Sequence, residues 1–293
     1  MARKVMVWRE DGTRPVLTEV LADDEFQLQE IVKDTPDLLP VDEFEADGPL
    51  MVVGRETTLP SGAPDLLCLD RSGNLFIVEF KTGPRNSDFR RVLAQLLDYG
   101  SDLWRMSHRE FESTVAGRYF SSDHCRDDLL RGKDSLDDAA RAFWPKFLEE
   151  EAEPFRDNLS QRLSVGAFHY LIVAQRFTPG MERTIEYLNA AMSEARFYAV
   201  ELVRFAADGL SAFEARTVFK PESSNASSRR EAPVDEARFL ERIEDGEYRE
   251  ALRYLLEVCR GLDLRFSWGT AGVSIRLPIS DSSRPRSVGW LFP

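Results

Sequence analysis

Two apolar runs joined by a four-residue turn, with charge at their far ends, constrain this chain more than anything else in it. The first is Leu66-Leu67-Cys68-Leu69-Asp70 and the second is Leu75-Phe76-Ile77-Val78, with Arg71-Ser72-Gly73-Asn74 between them. Runs of that length bounded by turn residues read as a hairpin over residues 65–70 and 74–81, and the Ser-Gly-Asn corner suits its turn. Ala63-Pro64-Asp65 leads into the first strand, and Glu79-Phe80-Lys81 ends the second. An antiparallel pair sets those two ends side by side. Side chains alternate along a strand, so Glu79 and Lys81 share one face and Phe80 points to the other. Asp65, Glu79 and Lys81 are therefore expected in one place.

The flanking pattern surrounds this hairpin with helices. Residues 23–34 read as a helix capped by Asp23 or Asp24, with Phe26, Leu28 and Ile31 on its apolar side and Pro36 and Pro40 beyond it. Residues 50–57 read as a strand, followed by a turn at Pro60-Ser61-Gly62. After Gly83-Pro84 the spacing predicts a helix over 87–104, burying Phe89, Val92, Leu93, Leu96, Leu97 and Trp104. Residues 106–160 are charged and helical without a clear core pattern, and read as an insertion or subdomain. A strand at 169–174, a helix at 181–192 and strands at 197–203 and 213–219 follow. The order α-β-β-β-α and then β-α-β predicts an α/β fold, one mixed central sheet flanked by helices, over residues 1–220. Residues 221–233 are small and polar and read as a linker. Residues 234–293 read as a small α+β domain. It has helices at 235–243 and 248–260, strands at 267–277 and 288–292, and Trp268, Trp290 and Phe292 in its core.

Two carboxylates at one sheet edge repel unless a cation sits between them. Mg²⁺ takes one or two carboxylates plus waters and phosphate oxygens, and the Phe80 backbone carbonyl can add an oxygen. Lys81 can position an attacking water or offset charge on a phosphorane. Such a set suits phosphodiester hydrolysis. It needs no histidine, and His108, His124 and His169 form no cluster in the sequence. Glu79 closes an apolar run, so partial burial is expected, and a buried carboxylate needs a partner or a metal.

The net charge of −13 stands, at first sight, against a nucleic-acid partner. Eleven acids against the single Lys33 lie within residues 19–47, however, so most of that charge is local. Lys81, Arg85, Arg90 and Arg91 face only Asp88 across residues 81–91 and form a basic rim for a phosphate backbone. Cys68, Cys125 and Cys259 fit neither a disulfide framework nor a zinc pattern. A reducing cytoplasm and buried, small apolar thiols are the simple reading. No apolar run reaches a membrane span, and Met1-Ala2-Arg3-Lys4-Val5 lacks the apolar core of a signal peptide.

Pro64-Asp65 followed by Glu79-Phe80-Lys81 resembles the signature of the PD-(D/E)XK nuclease superfamily, and the element order over roughly residues 23–205 is similar to its restriction-endonuclease-like αβββαβ core. The resemblance implies metal-dependent cleavage of DNA, or RNA as the alternative, with Mg²⁺ or Mn²⁺ held by Asp65, Glu79 and the Phe80 carbonyl, and Lys81 as the catalytic amine. It also implies a metal-site glutamate from the first helix, Glu25 or Glu30, with Glu25 fitting the spacing better. Gln95 and Tyr99 match a Gln and a Tyr four residues apart on the second helix. That spacing puts them on one face, with Arg91 on the same stripe. Many nucleases of this fold act as dimers, so a homodimer is a further expectation.

Each residue also has an ordinary structural reading. Asp65 could be a strand-entry residue, and Glu79 and Lys81 a solvent-facing pair. Glu25 and Glu30 could meet a helix dipole, Gln95 and Tyr99 could brace the sheet, and the arginines could be a solvated face. A second function follows: a nucleic-acid-binding or protein-interaction module on the same fold without hydrolysis, its C-terminal domain recruiting a protein partner. The intact Asp, Glu and Lys trio favours hydrolysis.

Overall fold

The computed structural model describes residues 2–20, 30–32, 34–81, 86–207, 209–221, 236–241, 243, 245–268, 273–278 and 286–291. Within the first unit, Met1–Ser223, one eight-stranded sheet is built from β1 (Lys4–Met6), β2 (Val16–Val20), β3 (Met51–Arg55), β4 (Leu66–Leu69), β5 (Leu75–Lys81), β6 (His169–Ala174), β7 (Arg196–Ala207) and β8 (Leu210–Phe219). Helices α1 (Asn86–Leu103), α2 (Leu136–Phe143), α3 (Glu149–Val165) and α4 (Pro179–Ala191) flank it. β3, β4 and β5 are antiparallel, β5, β6 and β7 are parallel, and β7 and β8 are antiparallel, so the sheet is mixed as expected. The parallel steps require crossovers, supplied by the long segment that includes α1 to α3 and then by α4. Of the helix expected at 23–34, residues 30–32 and 34 are described and helical; the rest lies outside the described residues.

The hairpin is buried on both faces, which is why its strands read as continuous apolar runs and not as alternating ones. Every residue of Leu66–Leu69 is buried, and so is every residue of β5 before Lys81. Its turn is fastened from within. Asp70 has no exposed surface and accepts hydrogen bonds from the Asn74 backbone (2.8 Å), the Asn74 amide (2.8 Å) and the Asp47 backbone (3.0 Å). Gly73 has φ +84°, and a Cβ there would collide with the Phe155 carbonyl of α3, so glycine is required on two counts. Asn158 of α3 donates to the Ser72 carbonyl at 2.7 Å. The register follows, with Leu66 opposite Val78 and Leu69 opposite Leu75.

β7 organises the other half. β8 pairs along one of its edges, through residues 199–207. The opposite edge is shared end to end, by β6 along residues 196–201 and by β2 along residues 204–206. β1 then pairs with the free edge of β2. The β1–β2 hairpin, which the sequence reading did not foresee, thus stacks beyond the C-terminal ends of β5 and β6.

The segment 106–160 is not a subdomain. Phe111, Val115, Phe120, Leu136, Ala140, Trp144, Phe155 and Leu159 all enter the main hydrophobic core. Its pattern was hidden because it is broken into short pieces: His108–Phe111, a π-helical turn at Glu112–Ala116, Gly117–Phe120 and α2. A π turn shifts the apolar positions off the 3.6-residue period. Two expectations for α1 also fail: Leu97 is 37% and Trp104 46% exposed, while Tyr99 and Leu103 take the buried positions. Trp104 instead donates to the Ser164 carbonyl at 2.9 Å.

The second unit, Ser224–Pro293, holds α5 (Glu236–Glu241), α6 (Gly246–Gly261) and a three-stranded antiparallel sheet of β9 (Arg265–Trp268), β10 (Val273–Leu277) and β11 (Arg286–Leu291). The single strand expected over 267–277 is two strands. Phe239, Leu252, Leu256 and Val273 form the core, and Trp268 packs on Phe239 with ring centroids 5.5 Å apart. The Trp290 side chain, Phe292 and the expected linker beyond residue 221 lie outside the described residues.

Phe155 tests the reassigned segment. Phe155→Ala is expected to destabilise the full chain by about 3–5 kcal/mol in urea unfolding, as for a large core truncation; a change near zero would return residues 106–160 to the status of an appendage.

Candidate active site

Asp65 stands one step outside β4, and Glu79 lies two residues before the end of β5, so continuing the ladder sets them opposite each other. A reciprocal clamp fixes the pair. The Phe80 backbone N–H donates to Asp65 Oδ2 at 2.8 Å, and the Asp65 backbone N–H donates to the Glu79 carboxylate. Lys81 Nζ lies 3.6 Å from Glu79 Oε1. Asp65, Glu79 and Lys81 are thus brought together. Asp65 is 9% and Glu79 3% exposed. Burial raises the Glu79 carboxyl from 4.5 to about 8; the charge of Asp65 adds to the rise and Lys81 opposes it.

Helix α1 places Asp65 by holding the loop from which it emerges. The Asp102 carboxylate accepts from the Ser61 backbone at 2.8 Å and from its hydroxyl at 3.1 Å. The Tyr99 hydroxyl donates to the Ala63 carbonyl at 3.2 Å. Gly62, at φ +147°, admits the Tyr99 ring; a Cβ there would lie 3.3 Å from it. Gln95 Nε2 reaches the Tyr99 hydroxyl at 3.5 Å. Burial, together with the charges of Glu79 and Asp65, pushes that hydroxyl up to about 12. Tyr99 therefore senses both carboxylates while its hydrogen bond supports the loop.

The donors fit a hard divalent cation. Glu79 Oε2 is buried and meets no hydrogen-bond partner among the described residues, and the same holds for Gln95 Oε1. Two carboxylates and the adjacent Phe80 carbonyl form an oxygen set of the kind Mg²⁺ or Mn²⁺ takes, with waters and phosphate oxygens completing it. Among the described residues no group of three or more His, Cys, Asp or Glu side chains is placed to hold a metal, so a third carboxylate would come from elsewhere.

Glu30 is otherwise engaged. Its Oε1 accepts from Arg55 at 2.6 Å and its Oε2 lies 3.5 Å from Arg126. Arg55 is opposite Leu66 and Leu66 opposite Val78, which puts all three on the face away from Asp65 and Glu79. Glu25 and Arg85 lie outside the described residues. Arg90 and Arg91 are exposed on α1. The cysteines are buried and free, and burial pushes Cys68 up to about 12. His169 is buried in the core against Tyr198 (3.2 Å) and lowered to about 3 by desolvation.

A charged network on the same face went unforeseen. Ala174 is opposite both Lys81 and Glu201, so the three share a face and a level. Glu201 Oε2 accepts from Arg3 (3.0 Å) and Arg216 (2.9 Å), and Glu19 accepts from Arg3 (3.2 Å) and Arg176 (2.9 Å). Backbone and side-chain donation from Arg3 and Arg176 lowers Glu19 to about 2. Residues this scattered in sequence carry no local signal; the pairings of β1 with β2, β2 with β7 and β7 with β8 bring them together.

No protein-family model and no curated protein matches the chain. A solved structure of EndoMS with double-stranded DNA is similar at 13% identity, over 68% of this chain and 65% of that one, with a TM-score of 0.29. A likeness that weak carries no argument about chemistry.

The raised Glu79 carboxyl has a sign. The folded protein holds its proton more tightly than the unfolded chain does, so metal-free protein loses stability as pH rises from 4.5 through about 8. In EDTA, Glu79→Gln is expected to melt higher than wild type at pH 9, with the gap closing below pH 4.5. Melting curves that stay parallel across this range would contradict the assignment.

Proposed function

We propose that this chain is a metal-dependent nuclease of the PD-(D/E)XK kind, acting on DNA, with RNA as the alternative substrate. One observation carries the reading: two buried, mutually clamped carboxylates with an amine 3.6 Å from one of them, at the open end of a hairpin. The helix-flanked mixed sheet agrees with the restriction-endonuclease-like core.

Asp65, Glu79 and the Phe80 carbonyl would hold Mg²⁺ or Mn²⁺, and Glu25 is the first-helix residue left to join them. When bound, the ion lowers the pKa of a water and polarises a phosphoryl oxygen. Glu79 and Asp65, both buried, would supply the negative charge that holds it. Lys81 directs a hydrogen bond at the attacking water and offsets charge on the phosphoryl oxygens. Gln95 and Tyr99 act through Ala63, keeping Asp65 in register. Arg90 and Arg91, exposed on α1, would meet the phosphate backbone, and Arg85 is the further candidate for the same role.

A second reading is a nucleic-acid-binding or protein-interaction module without hydrolysis. It is favoured by the lack of a three-carboxylate cluster among the described residues. DNA bound but left uncut with either metal would support it.

Lys81→Ala is expected to lower cleavage at least about 100-fold while leaving the fold intact. Plasmid, linear, single-stranded and branched DNA are incubated with Mg²⁺, Mn²⁺ or EDTA. Cleavage by Lys81→Ala at the wild-type rate would overturn the mechanism.

A further inference from the structure

We infer that Arg176 and Arg216, braced from behind by Glu19, Glu201 and Arg3, form a phosphate-gripping wall that holds duplex DNA beside the trio; this rests on the nuclease reading. The placement comes from ion pairs and strand register. Arg176 lies two residues beyond the end of β6, the strand adjacent to β5, and its 2.9 Å bond to Glu19 holds it beside Arg3 and Glu201, on the face of Lys81. Arg216 is opposite Glu201, which stands level with Lys81, so Arg216 lies three strands from Lys81, about 14 Å at ordinary strand spacing. That separation matches about four nucleotides of axial rise along one DNA strand.

The burial pattern separates anchor from grip. The Glu19 and Glu201 side chains are 7% and 10% exposed, whereas those of Arg176 and Arg216 are 51% and 54% exposed. Arg3, at 33%, bonds both carboxylates and by itself ties β1 to β2 and β7. The β2–β7 ladder and Arg3 thus fasten the hairpin to the sheet without Arg176 or Arg216. With the other two guanidiniums the group holds, among the described residues, three cations on two anions, and each of the two carries further N–H donors. A guanidinium already held by a buried carboxylate loses little freedom on meeting a phosphate, and its planar fork suits that partner. The β1–β2 hairpin, stacked end-on beyond β5 and β6, is the support for this wall, which explains why the sheet extends there.

Binding is measured with a fluorescent DNA duplex, on the full chain carrying Lys81→Ala so that the probe stays whole, in Mg²⁺ across a salt series. Arg176→Ala and Arg216→Ala are each expected to weaken binding roughly tenfold near 0.1 M salt. Each should also flatten the slope of log affinity against log salt by about 0.9, the loss of one phosphate contact. Arg176→Lys should keep that slope, which a purely structural role would not predict. Unchanged affinity and slope in both alanine variants, with the parent still binding, would overturn the wall and leave the nuclease reading standing. A parent that binds single strands or RNA but not the duplex would also overturn the wall. A parent that binds no nucleic acid would overturn both readings.

Discussion

Asp65 and Glu79 repel each other across one step of an antiparallel ladder, and burial at 9% and 3% exposure removes the water that would soften the repulsion. Left alone, such a pair relaxes by taking up a proton or by moving apart. Neither carboxylate can move, because each accepts a backbone N–H from the other's strand. The chain therefore holds a fixed concentration of negative charge that a proton, Lys81 or a bound cation can balance.

Much of the first unit serves to keep that pair in place. Asp70 and Asn158 fasten the far end of the hairpin, and the collision awaiting any Cβ at Gly73 shows how closely α3 rides on the turn. A slip of one residue would send Glu79 to the opposite face and bring Phe80 to the site. At the near end, Tyr99 and Asp102 hold the loop before Asp65, so α1 acts as a second clamp. The segment 106–160 completes the core beneath both, with Trp144 and Phe155 packed edge to face at 5.9 Å.

The hairpin, α1 and the β6–α4–β7 unit were legible because each carries its pattern locally: apolar runs, a glycine turn, a 3.6-residue stripe. The convergence of Asp65, Glu79 and Lys81 followed from alternation alone. The β1–β2 hairpin was not legible. Lys4–Met6 is three residues long with every position exposed, and its partner β2 is held in turn by β7, nearly two hundred residues away. The core role of residues 106–160 was hidden by a π turn and short helices. Trp104 misled because a large aromatic on the expected stripe can satisfy itself at the surface, here through the Ser164 carbonyl. Glu30 was expected at the metal site, yet Arg55 and Arg126 engage it, a choice no local spacing encodes.

Titration of the metal-free protein with Mn²⁺, followed by the loss of the free-ion paramagnetic resonance signal, tests the central claim most directly. Wild-type protein should capture the ion, releasing protons near neutral pH as Glu79 ionises, and both Asp65→Asn and Glu79→Gln should lose that capture. Equal uptake by wild type and both variants, or no uptake by wild type, would contradict the account.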